Sequence, residues 1–303
     1  MKALVTGASG FLGAHLCEAL RLRGNRVVAL VRDDLGALDC QQITVRGGFE
    51  QVERTLSEYE IDTVFHLAAQ TQVSTAVAHP IGTFEANTEG TWKVLEACRK
   101  QKVRRIIVAS SDKCYGDGAT PYTEKQALLP NGIYATSKAC ADLIAQAYIQ
   151  EFGMSIAITR CGNLYGPGHT NWSTLIPGTI RSIFRGERPK LRSDGGPQRD
   201  WLYVEDAVEG YLKLAACDET GPFNFGTGRG TSVATVVETI LRLMKTELKP
   251  IIDLKTGPGA GGMEIHEQVL DCDRALRVLG WRPDYTLEIG LIETIDWLKE
   301  HVQ

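Results

Sequence analysis

Short apolar runs alternate with amphipathic stretches along the first half of the chain. Five of these runs predict strands at residues 3–5, 27–31, 63–67, 105–109 and 155–159. Helical patterns lie at about residues 10–23, around the apolar positions Phe84, Val94, Leu95 and Cys98, and at residues 134–152. Strands that are apolar on both faces and alternate with helices are typical of a parallel sheet covered on both sides. The pattern therefore predicts a doubly wound α/β fold.

The second half of the chain shows a different sequence pattern. Gly and Pro cluster at residues 165–168, 193–197 and 256–262, and strand signals become short and scattered. This pattern predicts a smaller α/β region, rich in loops, over the carboxyl ends of the sheet. We divide the chain into a Rossmann domain, residues 1–163 with about 199–226, and a smaller domain, residues 164–198 and 227–303.

Composition narrows the classes of partner. The chain has 303 residues, and 33 Lys and Arg stand against 37 Asp and Glu. This mild acidity gives no basic surface for nucleic acid or for an anionic membrane. No apolar run approaches the roughly 18–20 residues of a membrane span. The chain also turns glycine-rich too soon after its start for a secretory signal. We expect neither a nucleic-acid nor a membrane partner.

The eight cysteines form no C-x-x-C pair, and no two histidines have metal-ligand spacing. We therefore predict no metal site. Several of the cysteines lie in apolar or helical segments, where a buried thiol is the usual interpretation. We expect a cytoplasmic protein with reduced thiols.

A glycine-rich turn separates the first predicted strand from the first predicted helix, with the spacing G-x-x-G-x-x-G. Residues without a Cβ let backbone N–H groups approach a pyrophosphate, and the helix N-terminus adds partial positive charge. This placement predicts a dinucleotide site, and the alternative is a tight turn without a ligand. The predicted cofactor contacts are Gly7, Ser9, Gly10, Phe11, Leu12 and Gly13.

The end of the second strand bears on the choice of cofactor. An acidic residue there usually binds the ribose hydroxyls of NAD, whereas an arginine can hold the 2′-phosphate of NADP. Here Arg32 comes first and Asp33 follows directly. Arg32 slightly favours NADP, with NAD still open; the alternative is that Arg32 is a solvated surface charge.

A tyrosine and a lysine four residues apart open the helix predicted at residues 134–152. This spacing places Tyr134 and Lys138 on one helix face. A phenol is a poor base at neutral pH, and a nearby ammonium lowers its pKa. Such a pair could remove a hydroxyl proton while hydride leaves the same carbon. The pair becomes specific in combination with the glycine turn.

With these motifs, the chain resembles the extended short-chain dehydrogenases/reductases of the nucleotide-sugar epimerase/dehydratase family. Matching stretches lie at residues 6–13, 66–69, 87–91, 110–116, 134–138, 160–166, 199–207 and 279–283. The resemblance implies bound NAD(P), a nucleotide-diphosphate hexose as substrate, and a homodimer formed through helices at residues 87–99 and 134–152. It adds Leu67, Ala68 and Ala69 to the cofactor contacts, and Asn87, Asn163 and Arg199 as substrate contacts.

The residues after the fifth strand refine the resemblance. Ser111 matches the family's contact to the reacting sugar oxygen, and Asp112-Lys113 resembles the ionisable pair of CDP-glucose 4,6-dehydratases. The implied reaction is a 4,6-dehydration. Tyr134 takes the C4 hydroxyl proton as hydride passes to the nicotinamide, water leaves across C5 and C6, and hydride returns to C6. Asp112 is assigned as the acid to the C6 oxygen and Lys113 as the base, directly or through water.

The sequence leaves two other functions open. In a nucleotide-sugar 4-epimerase, of UDP-hexose or UDP-uronate type, Asp112 and Lys113 would be only a salt-bridged loop pair. A non-catalytic dinucleotide-binding protein is the second alternative, against which the set Ser111, Tyr134 and Lys138 argues. Among the substrate contacts, Arg199 could instead pair with its neighbour Asp200. Asn87 could instead form hydrogen bonds between helices.

Overall fold

The computed structural model describes residues 1–31, 40–44, 48–253 and 265–301. Arg32, on which the preference for NADP depends, and the whole glycine cluster at residues 256–262 lie outside these ranges. Within them, none of the helices is long and apolar enough to cross a membrane.

Thirteen strands are present in the described ranges. They are β1 Lys2–Thr6, β2 Arg26–Val31, β3 Gln41–Thr44, β4 Thr63–His66, β5 Arg105–Ala109, β6 Ile156–Cys161, β7 Asn163–Tyr165, β8 Lys190–Leu191, β9 Gln198–Tyr203, β10 Gly221–Phe225, β11 Gly230–Ser232, β12 Ile251–Ile252 and β13 Glu267–Gln268. Seven of them form one parallel sheet in the order β10-β6-β5-β4-β1-β2-β3. The seven-stranded parallel sheet is that of the predicted doubly wound fold.

The helices in the same ranges are α1 Phe11–Leu22, α2 Gly48–Glu58, α3 Val73–Ala78, α4 Pro80–Phe84, α5 Gly90–Lys100, α6 Ile133–Phe152, α7 Leu175–Phe184, α8 Val204–Ala215, α9 Val233–Leu243, α10 Asp273–Leu279 and α11 Leu287–His301. A π-helical turn, Glu85–Glu89, joins α4 to α5, and a 3₁₀ turn, Asp112–Tyr115, follows β5. Side chains alternate between the two faces of the large sheet. Ala3 and Val5 therefore pack with α1 and α8, whereas Leu4 packs with α2 and α5.

A smaller sheet lies beside the large one. In it β9 pairs with β7, β11 and β13, and a third apolar cluster joins this sheet to α7, α9 and α11. The predicted division gave residues 199–203 to the Rossmann domain, yet most of β9 consists of these residues and belongs to the smaller sheet. The remainder of the 199–226 segment, α8 and β10, packs with the large sheet. The division into two domains stays a prediction.

The structure differs from the predicted elements at the edges of the large sheet. The strands predicted at residues 3–5, 27–31, 63–67, 105–109 and 155–159 are β1, β2, β4, β5 and β6, with ends shifted by up to two residues. The edge strand β3 is only half-buried and largely polar, so it lacks the apolar run from which the other strands were predicted. The helix predicted around Phe84 to Cys98 is divided by the π-helical turn.

Candidate active site

The glycine turn after β1 is fixed by close backbone approaches. Gly7 has a φ of +69°, and a Cβ on it would lie 2.7 Å from the backbone nitrogen of Ala68. A Cβ on Gly13 would lie 2.2 Å from the carbonyl oxygen of Gly7. Only glycine therefore fits both positions, and the turn holds the start of α1 against the end of β4.

The start of α1 has the features of an anion site. Ser9 and Gly10 are exposed, Gly10 caps the helix without a side-chain hydrogen bond, and the first turn carries no acidic residue. The first backbone N–H groups of a helix have no partner within it, and the helix dipole favours negative charge there. The cradle that Gly7 and Gly13 keep free of side-chain atoms therefore fits a dinucleotide pyrophosphate. Phe11 and Leu12 contribute the first helical N–H groups.

A buried chain of polar side chains connects this turn to the helix that carries Tyr134. Thr6 Oγ1 lies 2.8 Å from His66 Nδ1, and His66 Nε2 lies 3.1 Å from Thr91 Oγ1. Thr91 donates to the carbonyl oxygen of Asn87, whose Nδ2 donates to Ser137 Oγ at 2.9 Å. Burial lowers the pKa of His66 to about 3, so its ring is neutral in this chain of contacts.

Asn87 lies in the π-helical turn, where its side chain is fully engaged. Its Oδ1 accepts from the backbone nitrogen of Gln70 at 2.6 Å, and its Nδ2 donates to the Gln70 carbonyl as well as to Ser137. These contacts match the alternative of hydrogen bonds between elements. Contact of Asn87 with a substrate stays a prediction. Leu67 and Ala68 lie beside the glycine turn, each donating a backbone hydrogen bond to Thr6.

Ser111 and Tyr134 lie close together in the site. Ser111 caps the 3₁₀ turn after β5, accepting from the backbone nitrogen of Lys113, and Tyr134 lies in the first turn of α6. Burial raises the pKa of Tyr134 above its ordinary value, and the nearby Ser111 lowers it. We expected Lys138 to bring the pKa of Tyr134 down. The structure differs, because burial raises the pKa of the phenol and the neighbouring Cys114 and Asp112 raise it further.

Lys138 lies one helical turn after Tyr134 and is buried. Its Nζ donates a hydrogen bond to the carbonyl oxygen of Ala109, at the end of β5, at 2.6 Å. Burial lowers the pKa of Lys138 to about 8, while the neighbouring Cys114 and Asp142 raise it. The ammonium is thus the main form at neutral pH and is held at a fixed point between α6 and the large sheet.

Asp112 and Lys113 form an ion pair beside the Ser111–Tyr134 contact. Lys113 Nζ donates to Asp112 Oδ1 at 2.9 Å and to Asn163 Oδ1 at 3.0 Å, and Ser111 Oγ donates to the same Asp112 oxygen at 3.1 Å. The Asp112 side chain is 1% exposed, and its other oxygen, Oδ2, has no partner. Asn163 Nδ2 is likewise buried without a partner. One acceptor and one donor are therefore left for a bound molecule.

A cavity of about 250 Å³ begins at Asn163 and extends along the smaller sheet. The residues that line it are Asn163, Leu164, Tyr165, His169, Thr174, Leu175, Ile176, Pro177, Arg199, Trp201 and Val233. Asn163 and Arg199, both predicted substrate contacts, lie on its wall. Asp200 accepts four hydrogen bonds from Thr227, Gly228 and Leu270. In the described ranges, no group of three or more His, Cys, Asp or Glu side chains could hold a metal ion.

Residues 3–226 match the NAD dependent epimerase/dehydratase family. The chain belongs to that family. A dTDP-glucose 4,6-dehydratase of Mycolicibacterium smegmatis is 31% identical over 316 residues, which cover 99% of this chain and 93% of the relative. The family predicted from the motifs is thereby confirmed, and the chain is an NAD(P)-dependent enzyme.

Solved structures of family members share the whole fold. A UDP-glucose 4-epimerase of Thermotoga maritima, with UDP-glucose, superposes with a TM-score of 0.93 at 27% identity over 100% of both chains. A dTDP-glucose 4,6-dehydratase of Streptomyces venezuelae, with NAD bound, gives 0.87 at 29% identity over 99% of this chain and 97% of that one. The predicted fold class is confirmed. These names carry UDP or dTDP, where the motifs resembled CDP-glucose enzymes.

Two features of the site were not predicted from the sequence. Arg160 donates to both carboxylate oxygens of Asp142 at 2.9 Å and to the Tyr115 hydroxyl at 2.9 Å, and Tyr115 donates to Asn224 at 2.7 Å. This buried network fixes the 3₁₀ turn that carries Asp112. The second feature is His169, a loop residue that no sequence motif singled out. Its ring stacks on Phe11, with centroids 4.5 Å apart.

Proposed function

We propose that this protein is a nucleotide-sugar 4,6-dehydratase. The observation that carries the proposal is the state of Asp112: a carboxyl group 1% exposed, with one oxygen held by Ser111 and Lys113 and the other without a partner. A buried carboxyl oxygen without a partner is costly in a purely structural role. Beside Ser111 and Tyr134, it is suited to exchange a proton with the substrate.

Each side chain then has a separate task. Bound NAD(P) supplies reversible hydride exchange. Ser111 holds the C4 oxygen of the sugar and Tyr134 accepts its proton, while Lys138 keeps a positive charge behind the phenol. For elimination, the Lys113 proton first passes to Asp112 along their hydrogen bond. Asp112 then protonates the departing C6 hydroxyl, and the neutral Lys113 amine removes the C5 proton, directly or through water. Because Lys113 donates to two oxygens, it acts as a base only through water or after losing a proton.

The second candidate is a nucleotide-sugar 4-epimerase. It is favoured by the superposition on the Thermotoga UDP-glucose 4-epimerase. The same Tyr134 and hydride exchange would serve it, and the Asp112–Lys113 pair would only stabilise its loop. The buried Asp112 oxygen without a partner supports dehydration over this candidate.

The substrate would be a nucleotide-diphosphate hexose, with the diphosphate held by Asn163 and Arg199. A guanidinium and an amide suit phosphate oxygens, and both side chains line the cavity beside Asp112. NAD and NADP are both retained as cofactors. A cytoplasmic location is supported by the eight cysteines, which are all free thiols.

A homodimer through α5 and α6 is supported by apolar side chains left exposed on these helices. Trp92 on α5 is 43% exposed and Leu143 on α6 is 55% exposed. Val77 and Ile81, on the adjacent α3 and α4, are 70% and 74% exposed. Exposed apolar side chains on neighbouring helices are typical of an interface. Sedimentation of a Leu143→Asp variant tests this: a dimer turning into a monomer supports it, and an unchanged mass contradicts it.

Incubation with CDP-, GDP-, UDP- and dTDP-hexoses tests the function directly. Loss of one water from the product, read by mass spectrometry, supports dehydration. An unchanged mass with inverted configuration at C4 supports the epimerase. No turnover with any of these substrates, with cofactor retained, would leave a non-catalytic dinucleotide-binding protein.

A further inference from the structure

His169 lies where the cofactor turn meets the substrate cavity. Its imidazole stacks on the Phe11 ring at an interplanar angle of 12°, and Phe11 is the first residue of α1. The same imidazole forms part of the cavity wall together with Asn163 and Arg199. His169 therefore contacts the dinucleotide turn on one side and, on the other, lines the same cavity as the predicted diphosphate ligands.

A hydrogen bond holds the loop that carries His169 against α1. His15 Nε2 lies 2.8 Å from the carbonyl oxygen of Pro167, and the backbone nitrogen of His169 donates to the carbonyl of Gly166 at 3.3 Å. Gly168, with a φ of +79°, makes the turn between them. The Phe11 ring also contacts His15 edge-on. The position of His169 is thus fixed by the turn that receives the cofactor.

The imidazole itself is incompletely bonded. His169 Nδ1 is buried and has no hydrogen-bond partner. A buried polar atom without a partner is uncommon and calls for a ligand or a water molecule. A half-turn of the ring keeps its stack on Phe11 and exchanges its two edges, so a ring nitrogen can face the cavity without loss of packing.

We propose that His169 is a binding residue that donates a hydrogen bond to a diphosphate oxygen at the junction of the two ligand sites. The groups around it suit an anion: Arg199 and the unpartnered Asn163 Nδ2 share its cavity, and the start of α1 carries partial positive charge. Burial lowers the pKa of His169 to about 4, so the ring binds as a neutral N–H donor. The inference rests on the nucleotide-sugar function proposed above.

Two sources could supply the diphosphate, the cofactor or the nucleotide sugar. His169→Phe keeps the ring stack on Phe11 and removes both nitrogens, and His169→Gln restores a donor without the stack. His301→Phe, at the end of α11, is the matched control. Calorimetry measures the dissociation constants of NAD with the cofactor-free protein, and of UDP, dTDP and CDP with the NAD-loaded protein.

We expect His169→Phe to weaken one of these two classes of ligand about tenfold to a hundredfold, the usual value of a hydrogen bond to a charged group. His169→Gln should recover part of the loss, and His301→Phe should bind as the wild type does. Loss confined to the nucleoside diphosphates assigns His169 to the substrate. Loss confined to NAD assigns it to the cofactor. Equal affinities in the wild type and in His169→Phe overturn the inference alone, whatever reaction the enzyme catalyses.

A second measurement covers the case in which His169→Phe does not fold. In the wild-type protein with ¹⁵N-labelled histidine, saturating nucleoside diphosphate or NAD should move the His169 ring-nitrogen signals. Signals that stay in place with both ligands bound overturn the inference. If the wild type binds neither NAD nor any nucleoside diphosphate, the proposed function fails together with it.

Discussion

Ser111 and Tyr134 come from different elements, and Ser111 lies close enough to lower the pKa of the Tyr134 phenol. Ser111 ends the loop after β5, and Tyr134 begins α6. A hydroxyl and a phenol thus lie together at the carboxyl end of the large sheet, next to the Asp112–Lys113 pair. Because α6 also carries Lys138, a single helix fixes both the phenol and the ammonium relative to β5.

Ser111→Ala should shift the pH dependence of turnover. Ser111 lowers the pKa of Tyr134, so loss of its hydroxyl should raise that pKa further. The rising limb of kcat/KM against pH should therefore move to higher pH, with a rate loss of about tenfold to a hundredfold at pH 7. Ser111→Thr, which keeps the hydroxyl, should restore the wild-type profile. A rising limb unchanged in Ser111→Ala would contradict the role of this contact.

Asp112→Asn should separate oxidation from elimination. The amide keeps the size of the carboxyl group but cannot protonate the C6 oxygen, so elimination should fall about 10²–10⁴-fold. Cofactor reduction by the substrate, read at the nicotinamide absorbance band, should persist. Asp117→Asn is a matched control, since Asp117 is exposed in the same loop. Normal water loss by Asp112→Asn would refute the assignment of the acid.

Lys138→Met should stabilise the fold at pH 7 while abolishing activity. Burial lowers the pKa of Lys138 from 10.5 to about 8, which corresponds to about 3 kcal/mol of unfolding free energy lost at neutral pH. The hydrogen bond to Ala109 offsets part of this, so we expect a gain of about 1–3 kcal/mol.

The pH dependence gives the sign of this effect. Below pH 8 both the folded and the unfolded chain hold the Lys138 proton, and the destabilisation is complete. Between pH 8 and 10.5 only the unfolded chain holds it, so wild-type stability rises relative to Lys138→Met. Denaturant unfolding at pH 7 and pH 10 should show the gap closing. Exposed Lys100→Met serves as a control, and a gap that widens with pH would contradict the account.

Gly13→Ala should remove cofactor binding. Its Cβ would lie 2.2 Å from the Gly7 carbonyl oxygen, so the turn must open, at about 1–3 kcal/mol of stability. Gly82→Ala, in α4, has no heavy atom within 4 Å of the added Cβ and should bind NAD normally. Calorimetric titration with NAD distinguishes the two variants. Wild-type affinity in Gly13→Ala would show that the turn does not form the dinucleotide site.

Much of this architecture could be predicted from the chain. The inner strands β1, β4 and β5 are buried on both faces and so appear as apolar runs. The need for glycine at Gly13 is local, since a Cβ there would meet the Gly7 carbonyl oxygen. Other features depend on distant partners. His169 and Phe11 are in contact but lie far apart in sequence, so no local pattern predicts this contact. The raised pKa of Tyr134 results mainly from burial, which cannot be predicted from the spacing of Tyr134 and Lys138.

The central claim is that one hydride leaves C4 of the sugar and returns to C6 of the same molecule. A nucleotide hexose that carries deuterium at C4 tests it, with the position of the label read by NMR after a single turnover in unlabelled water. We predict that the product has lost water and carries the deuterium in its C6 methyl group. Deuterium still at C4, in a product of unchanged mass and inverted configuration, would contradict the dehydratase and identify an epimerase.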